Sequence, residues 1–299
     1  MPSFILCAIL ILTGQISPSS IVARLNGKSR SDLSQLWQEL GIKPDRDLFA
    51  GYQDSLHALT AKEIPLDLNG DNKNDAVIEI TNGWDYQYLF FLNADKWTFV
   101  DSIDIGMQKY AAPRLRIELG GIHKRWLVIH RLSGSGTGFL RESDNWYEVS
   151  GEGITEILTV PVIQNNCATP PICVVSSANM VEVYEDSIIY QFKSRCSSVP
   201  VEKDDPDEFE LFSFERNVVF KFDSQAHSFR LDPEQSKLSP AQISGLLTDD
   251  LKNLLIHYFE EFRQLALGAN SDQKAWLRRC LSKFGDFPEK LALMSILDK

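Results

Sequence analysis

Basic residues are scarce in this sequence: 30 Lys and Arg stand against 41 Asp and Glu, a formal charge of -11 at pH 7. A field of that sign repels polyanions, which excludes nucleic acid and heparin-like partners. Long apolar runs are missing as well. After the first dozen residues none approaches the roughly 20 needed to cross a bilayer, so no membrane span is expected. There is no C-x-x-C pair, no Cys/His spacing of a zinc site and no N-x-S/T acceptor for an N-glycan. Ser133-Gly134-Ser135-Gly136-Thr137-Gly138 fits neither G-x-S-x-G nor G-x-G-x-x-G, and no Lys follows it as in a phosphate-binding loop. It reads as a hairpin loop whose glycines supply positive φ.

What is present is ordinary globular composition, 43% hydrophobic and 24% charged over 299 residues, enough for one large domain or two average ones. The chain opens on Phe4 to Leu12, FILCAILIL, followed by Thr13, Gly14 and the small polar run Ser17-Pro18-Ser19-Ser20. That order is the apolar core and cleavage region of a secretory leader, although no Lys or Arg precedes it. Small residues at a spacing of two allow cleavage after Ser19, Ser20 or Ala23, so residues 1–20 are assigned to the leader. A secreted or periplasmic location follows.

Removal of the leader takes Cys7 and leaves Cys167, Cys173, Cys196 and Cys280. An even count in an oxidising compartment favours disulfides. Cys167 and Cys173 flank a short loop with Pro170-Pro171, which makes a local bridge the economical pairing. By elimination Cys196 pairs with Cys280; the alternative is buried thiols.

Ser31 to Ile42, SDLSQLWQELGI, places Leu33, Leu36, Trp37 and Leu40 at helical spacing before a Gly stop, giving an N-terminal helix segment within 21–44. Residues 45–232 read as a β-rich domain of short segments dominated by aromatic and β-branched residues and punctuated by Asn, Asp and Gly. The acidic run 201–210, VEKDDPDEFE, reads as a solvated loop. From 233 to 299 the pattern is helical: Ser239-Pro240 begins a stripe of Leu251, Leu254, Leu255, Tyr258, Phe259 and Phe262, and Ser271 caps a further helix. The expected class is α+β, an antiparallel β-rich body (hairpins, a sandwich or a partial propeller-like array) with a helical C-terminal segment.

One stretch carries a chemistry. Asp67-Leu68-Asn69-Gly70-Asp71-Asn72-Lys73-Asn74-Asp75 puts oxygen side chains at its first, third, fifth and ninth positions. Asp67, Asn69 and Asp71 alternate around a tight turn, Lys73 offers its backbone carbonyl, and Asp75 closes the ring. Ligation by oxygen alone on a flexible loop suits Ca²⁺. Asn72 takes the place where EF-hand loops carry Gly, and Asn tolerates the left-handed conformation. Ile78 stands where an EF-hand has its closing Glu, and strand-like residues follow, so this is not an EF-hand. The same residues favour turns without any ion.

The loop resembles the calcium loops of FG-GAP/VCBS-type repeats of integrin-like and exported proteins, in which D-x-[DN]-G-D-x-x-x-D leads into an apolar strand as Ala76-Val77-Ile78 does here. The resemblance covers about thirty residues. It implies Asp67, Asn69, Asp71 and Asp75 as side-chain ligands and Lys73 as the carbonyl ligand of Ca²⁺. A single copy is present, so a full propeller does not follow.

Other candidates are weaker. His123 and His130 have opposite strand parity and cannot form a simple metal pair. His57, His227 and His257 have no partner motif. The aromatic set Trp84, Tyr86, Tyr88, Trp97, Trp126, Trp146 and Tyr147 either fills a β core or stacks on carbohydrate, with Trp84 the best exposed candidate. The expected function is an exported, non-catalytic calcium-binding module for a protein or glycan partner. The alternative is a secreted hydrolase with an unidentified active site; a third is a cell-envelope scaffold.

Overall fold

The computed structural model describes residues 17–26, 30–42, 59–121, 124–167, 171–200, 203, 205–246 and 251–298. The apolar run 4–12, His57 and His123 lie outside the described residues. The chain forms two compact units, 1–108 with 149–154, and 109–148 with 155–299.

The first unit is a four-stranded antiparallel meander in chain order: β1 (Thr60–Leu66), β2 (Asp75–Thr81), β3 (Asp85–Asn93) and β4 (Trp97–Met107). β2 and β3 are central and mostly apolar, with runs of β-branched and aromatic residues, and they are buried on both faces. One face carries Ala76, Ile78, Ile80, Leu89 and Phe91. It packs against Ile21 and Leu25 of α1 (Pro18–Leu25) and Leu36 and Trp37 of α2 (Arg30–Leu40). Burial of each such side chain contributes about 1.5–3 kcal/mol. α2 is the helix expected from SDLSQLWQELGI, and Gly41 at φ 72 ends it as the sequence implied.

Two elements of this unit were not expected. β1 contains Lys62, Glu63 and Pro65, poor strand formers, yet it lies at the sheet edge, where a missing N–H costs no ladder bond. α1 occupies the small polar stretch assigned above to leader cleavage.

The second unit holds an eight-stranded antiparallel meander. In chain order its strands are β5 (Arg114–Gly120), β6 (Lys124–Gly136), β7 (Phe139–Ser150), β8 (Gly153–Asn166), β9 (Ile172–Val183), β10 (Ser187–Ser198), β11 (Glu210–Asp223) and β12 (Ser228–Leu231). The tip of the β7–β8 hairpin, 149–154, groups with the first unit. The sheet stays open, since β5 and β12 are not bonded to one another. Twist nevertheless folds it over its own aromatic interior. Trp126 on β6 meets Phe229 on β12 edge-on at 5.5 Å and Phe222 on β11 at 6.3 Å. A Cβ on Gly120 would come within 2.5 Å of the Trp126 indole nitrogen, so only glycine allows that ring its place.

The C-terminal segment is helical, as expected: α3 (Pro233–Ser236), α4 (Pro240–Leu246), α5 (Leu251–His257), α6 (Phe259–Gly268), α7 (Ser271–Ser282) and α8 (Pro288–Leu297). The stripe through Tyr258 is two helices rather than one, because Tyr258 leaves helical geometry at φ -121, ψ 34. Asn270, not Ser271, caps α7 and forms a reciprocal box with Gln273. The helices bury Tyr258, Phe262, Trp276 and Leu281 against Phe212, Leu211 and Val174 of the sheet, with Phe212 stacked on Tyr258 at 4.7 Å.

The cysteines divide into two classes. Cys167 and Cys173 are bridged across the β8–β9 connection, as expected. The pairing of Cys196 with Cys280 is corrected: both remain thiols buried in this helix–sheet cluster, stabilised there as small apolar side chains. The acidic run 201–210 is also not simply solvated. The Asp205 side chain is covered and paired with Arg279 of α7, and Phe209 packs edge-on to Trp276 at 5.3 Å.

Candidate functional site

The oxygen-rich loop joins β1 to β2 at one end of the first sheet. Its residue types fold it locally through Asx turns, in which a short carbonyl or carboxylate accepts from the backbone two or more residues on. Asp67 Oδ1 accepts from the Gly70 amide at 2.8 Å and Oδ2 from the Asn72 amide at 3.0 Å. Asn69 Oδ1 accepts from Asp71 N–H at 3.0 Å, and Asp71 Oδ1 accepts from Lys73 N–H at 2.8 Å. Gly70 and Asn72 both take left-handed geometry, at φ 81 and 63, which makes Asn72 an adequate stand-in for glycine.

Asp75 differs from the others. Its carboxylate is buried and accepts from Leu68 N–H and Asn93 N–H, both at 2.8 Å, tying the loop's start to the β3–β4 turn. Asn93 adds a bond from its side-chain amide to the Asn74 carbonyl at 3.1 Å. Burial pushes the Asp75 carboxyl above its ordinary range; these backbone bonds oppose the shift, and repulsion from Asp71 and Asp67 adds to it. Asp75 thus senses the charges of Asp67 and Asp71, and a cation near it would relieve that repulsion. The donor set is oxygen throughout, which fits Ca²⁺. Each carboxylate oxygen carries two lone pairs, so the turn bonds do not exhaust the acceptors. Among the described residues no three His, Cys, Asp or Glu side chains are already gathered closely enough to hold a metal.

At the opposite end of the same sheet, the β2–β3 turn presents Trp84 at 45% exposure. Asn82 Oδ1 accepts from the Trp84 and Asp85 amides at 2.9 and 2.8 Å, and Gly83 supplies φ 91, so the backbone that carries the ring is fixed in the turn. Tyr88, Trp126, Trp146 and Tyr147 of the aromatic set are buried core, while Tyr86 and Trp97 are half-buried.

Sequence reasoning missed a third cluster, in the second unit. His130 on β6 pairs in register with Asp144 on β7. Its Nδ1 lies 2.9 Å from Asp144 Oδ1 and its Nε2 2.8 Å from Glu142 Oε2. With an ionised carboxylate at each nitrogen, both contacts are satisfied together only when both nitrogens donate, which favours the imidazolium form. The bond to Asp144 raises its pKa, burial opposes that, and Glu142 adds to the rise. Arg116 of β5 donates to Asp144 Oδ2 at 2.7 Å and to Glu118 at 2.6 Å. Burial alone would raise the Asp144 pKa, but His130 and Arg116 outweigh it and lower the value to about 2. Both ring nitrogens and the carboxylates beside them are engaged, so this arrangement braces the sheet and presents no poised base. The signal that would have found it is cross-strand register, which needs the hairpin alignment and cannot be read from histidine spacing.

No protein-family model, no curated protein and no solved structure matches this chain.

Proposed function

We propose that this chain is an exported calcium-binding protein, a non-catalytic module that engages a protein or glycan, with Ca²⁺ bracing the β1–β2 loop. The observation that carries the reading is the conjunction in residues 67–75 of oxygen side chains at positions 1, 3, 5 and 9 with left-handed turns at Gly70 and Asn72. Asp67, Asn69 and Asp71 would hold the ion with the Lys73 carbonyl, and Asp75 would close the ring from the core side. The ion would supply positive charge that offsets the repulsion of Asp67 and Asp71 on Asp75. Partner contact is assigned to the surface of the first sheet, where Trp84 offers a rigid apolar face suited to a sugar ring or an apolar side chain. The hydrolase alternative gains nothing from His130, whose nitrogens are both committed.

Isothermal calorimetry with CaCl₂ tests the reading. The expected dissociation constant is about 10⁻⁵ to 10⁻³ M, the range of extracellular modules. Asp71→Ala abolishes the heat while the far-ultraviolet spectrum is unchanged. A wild-type protein with no heat, and a melting curve indifferent to both calcium and chelator, returns the loop to an ordinary turn.

A further inference from the structure

α1 begins within the leader's small-residue run, at Pro18, and it is built into the fold. Ser17 is its N-cap, at φ -80 and ψ 148, with its hydroxyl accepting from the Ser20 amide at 3.2 Å, and Pro18 occupies the first helical turn. Ile21 is 0% and Leu25 1% exposed, both inside the cluster that covers β2 and β3. The residue after the helix, Asn26, accepts the Ala61 amide of β1 on its side-chain oxygen at 2.8 Å. Ser19 donates to Glu63 of β1 at 2.9 Å, and Arg24 pairs with Glu39 of α2.

Each of the three cuts that the small residues allow would damage this arrangement. Cleavage after Ser19 removes the cap and places a new α-ammonium on the helix N-terminus, where the macrodipole already carries positive charge. Cleavage after Ser20 puts that ammonium on Ile21, a fully buried residue, and burying an unpaired charge is far more costly than burying an amide. Cleavage after Ala23 discards Ile21 and leaves less than one turn of helix to hold Leu25, opening a cavity over the sheet. The apolar run ends at Leu12, four residues separate it from Ser17, and Gly14 within that interval is a small residue suited to precede a cut.

We propose that the exported protein is processed on the N-terminal side of Ser17, so that the mature chain keeps the whole of α1 as part of its core. This rests on the export reading above and relocates its cleavage site.

Two measurements test it. In the first, the exported full-length product is subjected to N-terminal sequencing and intact-mass determination. A first residue between Thr13 and Ser17 is expected; one at Ser20, Ile21 or Arg24 overturns the proposal. In the second, chains made without a leader and starting at Ser17, Ile21 or Arg24 are melted. The Ser17 chain should match the exported protein, and the Arg24 chain should melt about 4–8 °C lower or fail to fold. Equal melting temperatures for the Ser17 and Arg24 chains overturn the role given to α1. A product retained in cells and still beginning at Met1 or Pro2 refutes export, and the processing site with it, whereas a secreted product cut inside α1 refutes only the site.

Discussion

The Tyr190 hydroxyl on β10 donates to Asp144 Oδ2 on β7, 2.8 Å away, although the two strands stand three apart in the sheet. The Trp146 indole N–H completes the chain by donating to Tyr190 Oη at 2.9 Å. A flat sheet would not bring β10 over β7. The fold-over of the eight strands therefore ends on a buried carboxylate that three elements share: Arg116 from β5, His130 from β6 and Tyr190 from β10.

Replacing Asp144 with Asn keeps the shape and removes the charge that both cations face. Breaking a buried ion pair from one side costs about 3–5 kcal/mol where the partners are left buried and unpaired; Arg116 keeps Glu118 and His130 keeps Glu142, which puts the loss at the lower end of that range. Asp144→Asn should lower the urea midpoint of the second unit accordingly, while Tyr190→Phe, losing one hydrogen bond to a charged group, should cost about 1.5–3 kcal/mol. A loss under about 1 kcal/mol for Asp144→Asn would place the brace elsewhere.

The same cluster fixes a pH profile. Asp144 titrates at about 2 when folded, below its ordinary 3.8. Its contribution is therefore present above about 4 and lost as the pH falls from there through 2, an amount on the order of 2 kcal/mol. His130 is shifted the other way, upward from 6.5. Its contribution is complete below 6.5 and disappears as the pH rises through the raised value. Denaturation midpoints measured from pH 2 to pH 9 should fall at both ends, and His130→Gln should remove the alkaline limb and shrink the acid one, because His130 is one of the groups that hold the Asp144 pKa down.

Much of this could be read in the residues and some could not. AVIEI and YQYLFFL declare β2 and β3 because a buried central strand needs little besides apolar, β-branched and aromatic side chains. The Asx-turn loop announces itself, since Asp, Asn and Gly at fixed offsets fold it locally. β1 was hidden because an edge position, and not its own composition, licenses Pro65 and Lys62. α1 was hidden because Ser17-Pro18-Ser19-Ser20 suits both a peptidase and a helix cap, and only the burial of Ile21 separates them. The His130 cluster depends on register, a long-range property that no single segment carries.

Within the loop, Asp71 and Asp75 should separate cleanly. Asp71 is exposed and bonds one amide; Asp75 is buried and bonds two, one of them eighteen residues away. Asp75→Ala should destabilise the first unit by about 2–4 kcal/mol with or without calcium, because two buried amides lose their acceptor. Asp71→Ala should change stability only in the presence of calcium, where saturation at about 100 times the dissociation constant adds roughly 2.7 kcal/mol to the wild type. Paired melts in calcium and in chelator decide between these behaviours.

The thiols give the last expectation. Cys196 is fully buried among apolar side chains, and desolvation pushes its thiol up to about 12. Cys280, on the buried face of α7, lies in the same cluster. Thiolate is the reactive form, so neither should react with an aromatic disulfide reagent while the helices stay on the sheet. Both should react once the chain is unfolded in guanidinium. The Cys167–Cys173 bridge behaves in the opposite sense: it closes a short loop and contributes about 2 kcal/mol, so mild reduction should lower the unfolding midpoint and add two reactive thiols. Rapid labelling of Cys196 in the native protein, located by peptide mapping, would mean that the helical layer opens under native conditions and that its aromatic contacts, Phe212 on Tyr258 and Phe209 on Trp276, do not hold it closed.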